Sequence, residues 1–269
     1  MNGNVDFFTD LTRKYDWPRA VAVTGALGCG KTEWVLNLAL GFKGLFNNVT
    51  IADVDIINPY FCVRQVSETL EEQGYKILMA PDKTKWSDMP VVTAEVDWAL
   101  SEENTRLLLD IGGEAIGARA LKQYEERIKK AGYLLIMVVN AFRPQTSDIT
   151  HIEKMLHSME EISDLKVGAL ISNSHLMSET TLEQVQEGLE TVKGASLKLD
   201  LPVLYAGIPP NLSEEAYREW DDPVPYWPVS RYMLLPWERG AMWSTGLPSK
   251  NHGTALLQQM RSGERKNIL

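Results

Sequence analysis

The sequence predicts a three-layer α/β fold with a mostly parallel central sheet and helices on both faces. Short apolar runs of strand length alternate along the chain with amphipathic segments of helical spacing. One run, residues 133–140, is apolar on both faces, as is typical of a central parallel strand that helices cover. Strands that alternate with helices of this length form right-handed βαβ units, which produce a parallel sheet.

Each element follows from the pattern of its residues. The first strand is an unbroken apolar run, and the helix after it places Trp34, Leu38 and Phe42 on one face. The predicted strands span residues 20–24, 49–52, 75–79, 106–110, 133–140, 167–172 and 202–206. The later predicted helices span residues 115–130, 147–161 and 178–193.

Composition divides the chain into three parts. A core domain is expected over residues 19–211, after an N-terminal extension at 1–18. Most of the prolines lie between Pro209 and Pro248, together with a group of tryptophans. Because proline interrupts helices and central strands, residues 212–269 are expected to form an irregular segment that packs on the same domain. A lid or a partner surface is the alternative.

The bulk properties narrow the classes of function. The formal net charge is −9, whereas broad nucleic-acid binding needs a positive surface, so no nucleic-acid partner is expected. The two cysteines, Cys29 and Cys62, have no disulfide-framework or metal spacing. Without a signal-peptide pattern or an apolar run of membrane length, a cytoplasmic location is expected. For the short basic amphipathic C-terminus, docking on the core or fraying is expected rather than membrane contact.

A glycine-rich loop links the first strand to the first helix and matches GxxxxGK[ST] at every fixed position. Its residues are Gly25, Ala26, Leu27, Gly28, Cys29, Gly30, Lys31 and Thr32. Such a loop points several backbone N–H groups and the positive end of a helix at one chain of phosphates. Lys31 is expected to reach the β- and γ-phosphates, and the Thr32 hydroxyl is expected to bind Mg²⁺. The alternative is a glycine-rich turn with an incidental Lys-Thr pair.

Acidic residues follow two further strands. Asp53 and Asp55 follow the second predicted strand, and Asp110 ends the fourth, shortly before Gly113. In a parallel sheet these ends meet at one edge, beside the glycine-rich loop. Asp53 and Asp110 are expected beside the metal and Asp55 at the attacking water, and the Gly113 N–H is expected to meet the γ-phosphate. Simple turn formation is the alternative for Asp53, for Asp55 and for Asp110 with its following Gly-Gly.

With these three elements in this order, the chain resembles the P-loop NTPases of the SIMIBI class, and within it the MinD/ParA/CobQ-like nucleotide-binding domains, over residues 19–211. The resemblance implies a bound nucleoside triphosphate with Mg²⁺ and a role in hydrolysis for Asp55, the second aspartate of the D-x-D element. Ala26 stands where MinD/ParA members usually carry a second lysine that reaches across a homodimer. A homodimer and a client protein both stay open as partners.

Two later segments also match this family. Asn173 follows a predicted strand, where the family uses an amide to read the base, and Pro209 and Asn211 lie where a loop covers the base. GTPases of this class carry an aspartate three residues after the asparagine. Leu176 stands there, so ATP is expected rather than GTP. The alternative for both asparagines is a turn or helix-entry residue.

Three hypotheses of function follow. The first is a slow Mg-dependent ATPase that acts as a switch or maturation factor. The second is a CobQ-type transferase or ligase that uses ATP to activate a small molecule bound by residues 56–103 or by the Trp/Pro-rich end. The third is a nucleotide-binding regulatory module with negligible turnover. Arg64, Arg119 and Arg143 could each approach a phosphate, and nothing in the sequence singles one out.

Overall fold

The computed structural model describes most of the chain. The described residues are 3–54, 63, 66–79, 93–102 and 104–233. The predictions for Asp55, for Cys62 and for residues 234–269 concern positions outside these ranges, as does much of the segment suggested for an acceptor pocket.

A single parallel sheet organises the described residues. Its strands are β1 Ala20–Gly25, β2 Asn48–Asp53, β3 Lys76–Leu78, β4 Thr105–Asp110, β5 Tyr133–Val139, β6 Val167–Ser172, β7 Val203–Ile208 and β8 Tyr226–Pro228. Their order is β3-β2-β4-β1-β5-β6-β7-β8, and every neighbouring pair is parallel. The predicted fold class is therefore confirmed, with β1 inside the sheet and flanked by β4 and β5.

Helices cover both faces of the sheet. They are α1 Gly3–Thr12, α2 Lys31–Lys43, α3 Ser67–Glu72, α4 Thr93–Ser101, α5 Glu114–Lys122, α6 Glu125–Ala131, α7 Ile149–Ser163, α8 Leu182–Leu199 and α9 Ser213–Glu219. Because successive strand residues point to opposite faces, β1 contributes to two cores. Val21 and Val23 pack in the core that α1 and α2 cover, whereas Ala20 and Ala22 pack in the core that α5 to α8 cover.

The predicted helix at 115–130 is wrong in one respect, because the structure divides it into α5 and α6. The division falls at Gln123 and Tyr124, where Tyr124 has a φ of −105° and buries its side chain in the core. Burial of a large ring competes successfully there with continuation of the helix, although neither glycine nor proline interrupts the sequence.

The expectation of an irregular segment after residue 211 is also wrong in part, since α9 and β8 lie there. Proline is compatible with β8 because this strand ends the sheet order and pairs with β7. The carbonyl of Pro225 accepts the N–H of Ala206 at 3.0 Å, and the N–H of Val229 reaches Ile208 at 2.9 Å. Neither bond requires an N–H from a proline.

An aromatic cluster attaches both ends of the described chain to α2. The fully buried Trp227 of β8 stacks on Phe8 of α1 and contacts the rings of Trp34 and Tyr205. The described chain therefore packs on the same domain as far as β8, while the predicted packing of residues 234–269 stays a prediction. No helix of the described chain has both the length and the apolar character that crossing a membrane requires.

Candidate functional site

The glycine-rich loop lies at the carboxyl edge of the sheet, between the end of β1 and the start of α2. Gly30 caps α2 with a φ of 90°, a left-handed conformation that favours glycine. Gly25 leaves β1 in direct contact with the Val138 carbonyl of β5, with no room for a Cβ. The path of the loop therefore depends on the absence of side chains at Gly25 and Gly30.

Lys31 and Thr32 lie at the start of α2, beside the glycine-rich loop. The buried Lys31 donates a 3.1 Å hydrogen bond from Nζ to the Ala26 carbonyl, which holds its ammonium group against the loop. Thr32 donates a 2.6 Å hydrogen bond from Oγ1 to Oδ2 of Asp110, a fully buried residue at the end of β4. A hydroxyl and a carboxylate thus meet at the start of α2, and both are oxygen ligands of the kind that Mg²⁺ prefers.

The second acidic position lies beside the first. Asp53, at the end of β2, pairs in register with Asp110 of β4 and is partly exposed. Asp53 is therefore next to the Thr32–Asp110 pair, where the sequence predicted it. Its role toward a metal, like the role of Asp55 toward water, stays a prediction.

Gly113 packs directly on the glycine-rich loop. A Cβ added at Gly113 would lie 2.6 Å from the Gly25 carbonyl oxygen and 3.5 Å from Lys31 Nζ. Gly113 also precedes α5 as its N-cap residue. Movement of this segment would therefore displace both the glycine-rich loop and Lys31, as is expected of a switch segment.

Asn173 lies behind the loop. Its side-chain nitrogen donates a 2.7 Å hydrogen bond to the Cys29 carbonyl, and a Cβ added at Gly30 would lie 2.5 Å from that nitrogen. Its backbone N–H donates to Val139 at 2.7 Å. The amide therefore braces the loop, and its predicted contact with the base stays a prediction.

The other predicted base-side residues share this edge of the sheet. Pro209 is partly buried after β7, and Asn211 is exposed in the short 3₁₀ turn that follows. Leu176 is 43% exposed beyond Asn173. The structure thus brings the two loops together at one end of the domain, while their contact with a base is untested.

Comparisons with known proteins identify the fold. No family model and no curated protein matches the chain. The signal recognition particle receptor FtsY from Elizabethkingia anophelis in complex with GDP matches with a TM-score of 0.51 at 20% identity, over 76% of this chain and 64% of that chain. A second FtsY structure from that organism matches with a TM-score of 0.50 at 19% identity, over 74% and 63%. The chain has the fold of a SIMIBI-class P-loop NTPase. It spans less than two thirds of the length of these two receptors, and the narrower MinD/ParA/CobQ-like resemblance stays a prediction.

Within this P-loop NTPase fold, Cys29 is a packing residue. Its side chain is fully buried, and burial raises the pKa of the thiol. A Cβ added at Gly25 would lie 2.7 Å from its sulfur atom. A protonated thiol enclosed in this way is a poor nucleophile, so Cys29 fills space in the loop and is not expected to react.

Sequence analysis missed a second attachment of the P-loop helix. Both carboxylate oxygens of Glu33 accept backbone hydrogen bonds, from Tyr232 and from Met233, each at 2.8 Å. One turn later, Asn37 accepts the Ser230 N–H at 2.9 Å and donates to its carbonyl at 2.8 Å. We call residues 229–233 the strap. No local pattern in the sequence could reveal these bonds, because the partners lie about 200 positions apart along the chain.

The Glu33 carboxyl beside the strap is largely removed from solvent. Burial raises the pKa of Glu33 from 4.5 to about 7, although the N–H groups of Tyr232 and Met233 and the positive charge of Arg231 favour the charged form. Between these two pH values the folded chain holds a proton that the unfolded chain releases. The contribution of Glu33 to stability is therefore greatest below pH 4.5 and decreases as the pH rises toward 7.

Replacement of this carboxyl by Glu33→Gln removes the titration. We expect the free energy of unfolding of the unmodified chain, relative to this variant, to fall by roughly 2 kcal/mol from pH 5 to pH 7.5. Urea unfolding across this pH range measures the difference. The free energy of unfolding of the exposed Glu214→Gln variant should change with pH as that of the unmodified chain does. The same pH dependence in Glu33→Gln would contradict the raised pKa.

Proposed function

We propose that this protein binds ATP with Mg²⁺ and hydrolyses it slowly as a molecular switch or maturation factor. The observation that carries the proposal is one arrangement: the Lys31 ammonium inside the loop, the Thr32–Asp110 pair at its mouth, and Gly113 against both. A ligand held here meets backbone N–H groups, a cation and two hard oxygen atoms at once, a combination suited to a triphosphate with its metal.

The roles of the residues follow from charge. The Lys31 ammonium neutralises oxygens of the β- and γ-phosphates, while Thr32 and Asp110 would hold Mg²⁺. The metal ion would supply positive charge where negative charge develops in the transition state. Loss of the γ-phosphate removes an acceptor from the Gly113 N–H, and this couples hydrolysis to the start of α5.

ATP and GTP are distinguished by the base. Leu176 offers no acceptor for the amino group of guanine, which supports adenine. One of the structural neighbours, the FtsY receptor of Elizabethkingia anophelis, was solved in complex with GDP, so GTP is the second candidate.

Calorimetric titration with ATP and with GTP decides between them. We expect ATP to bind at least roughly 10-fold more tightly, because rejection of a base that leaves polar groups unpaired costs more than 1 kcal/mol. Equal or tighter binding of GTP would make the protein a guanine-nucleotide switch.

The phosphate site itself is tested by Lys31→Ala. Loss of the ammonium group leaves buried phosphate charge without its cation, and we expect affinity for the triphosphate to fall by roughly 100-fold or more. The exposed Lys154→Ala variant on α7 removes the same charge elsewhere and should bind normally. Unchanged affinity in Lys31→Ala would refute the assignment of the loop.

Hydrolysis is tested by Asp55→Ala. If Asp55 orients the attacking water, binding should persist while phosphate release falls by roughly 100-fold. Asp221→Ala, an exposed aspartate, is the control. Undiminished turnover would remove the role of Asp55, turnover only with an added small-molecule acceptor would favour the transferase, and binding without any turnover would favour the regulatory module.

A further inference from the structure

Arg143 lies against the glycine-rich loop, in the turn that follows β5. A Cβ added at Gly28 would lie 3.2 Å from Cζ and from Nη2 of Arg143, and 3.5 Å from its Nε. Three atoms of the flat guanidinium group are thus close to the open face of one glycine. Arg119 and Arg143 are the two of the three arginines left equivalent by the sequence that lie within the described residues, and Arg143 is the one that lies on the loop.

The backbone of Arg143 is held by its own turn. The carbonyl of the buried Asn140 accepts the Arg143 N–H at 3.0 Å and the Thr146 hydroxyl at 2.7 Å. The Asn140 side chain donates to the His175 carbonyl at 3.1 Å, which joins this turn to the loop after β6. Protein contacts alone therefore fix the backbone of Arg143, and preorganisation of this kind favours binding.

The guanidinium group of Arg143 is available to donate hydrogen bonds. A guanidinium carries five N–H donors and no acceptor, and within the described ranges no side chain or carbonyl accepts a hydrogen bond from it. The surroundings are also positive: burial, together with the charges of Arg143 and Arg231, lowers the pKa of His175 to about 4. An anion is the ligand whose charge complements this part of the glycine-rich loop.

Arg143 and Lys31 stand on different sides of the loop. Lys31 Nζ lies next to Gly113, on the side of β4, whereas Arg143 lies on the side of β5 and β6, in the turn joined to the loop after β6. The γ-phosphate end of a bound triphosphate belongs on the first side, and the base belongs on the second. An arginine on the base side faces the phosphates closest to the nucleoside.

We infer that Arg143 is a nucleotide-binding residue whose guanidinium group contacts the α- and β-phosphates. The inference rests on the proposed function and adds to it a second cation, supplied from outside the GxxxxGK[ST] motif. A contact with these two phosphates is the same before and after hydrolysis. Arg143 should therefore strengthen the binding of diphosphate and triphosphate equally, without accelerating phosphate release.

The experiment compares ATP and ADP binding, with Mg²⁺, in the unmodified chain and in Arg143→Ala, with GTP and GDP in parallel. We expect both the diphosphate and the triphosphate to bind roughly 10-fold more weakly, by the same factor. Arg143→Lys should restore part of the affinity, because it keeps the charge but not the fork geometry. The exposed Arg218→Ala variant is the matched control, and thermal unfolding without nucleotide should not change.

The outcomes separate this inference from the proposed function. If Arg143→Ala binds both nucleotides normally while Lys31→Ala does not, the inference is overturned and the proposed function stands. A loss confined to the triphosphate would place Arg143 at the γ-phosphate and overturn the assignment to the other two. If the unmodified chain binds neither ATP nor GTP, the proposed function and the inference fail together.

Discussion

The site depends on the confinement of the glycine-rich loop between the ends of β4 and β5. Gly25 touches the β5 carbonyl of Val138, and Gly113 approaches the Gly25 carbonyl from the segment that follows β4. Side chains larger than glycine at either position would push the loop out of this gap. Because β1 lies between these two strands in a parallel sheet, loops from both sides meet around the same few peptide groups.

This arrangement assigns different tasks to the two sides. The β4 side supplies Asp110, which is bonded to Thr32, and Gly113, which is beside the lysine. The side of β5 and β6 supplies Asn173, which braces the loop through Cys29, and Arg143, which packs on Gly28. Under the proposed function, the groups on the β4 side would respond to the terminal phosphate and those on the side of β5 and β6 would hold the rest of the nucleotide, a separation that suits a switch.

The parts that sequence analysis predicted are those that local pattern determines. The loop, Lys31, Thr32 and Asp110 belong to short motifs in which each residue type has a chemical reason, and the strand periodicity indicates the edge where they meet. Glu33, the strap and β8 could not be predicted in this way. Their bonds join positions far apart along the chain, and nothing in the sequence around a single glutamate after a glycine-rich loop indicates its partner. The proline content also led to the wrong prediction of an irregular segment at β8, because proline is excluded from central strands but not from an edge strand.

The attachments of α2 join the strap to the same helix that follows the glycine-rich loop. Thr32 at the start of this helix bonds Asp110, Glu33 bonds two backbone N–H groups of the strap, and Asn37 bonds the strap again one turn later. A helix is stiff over so short a distance, since its backbone hydrogen bonds connect residues four positions apart. Displacement of the strap would therefore strain the first turn of α2, where Thr32 meets Asp110. A ligand that stabilises that first turn should stabilise the strap in return, because linkage between two sites acts equally in both directions.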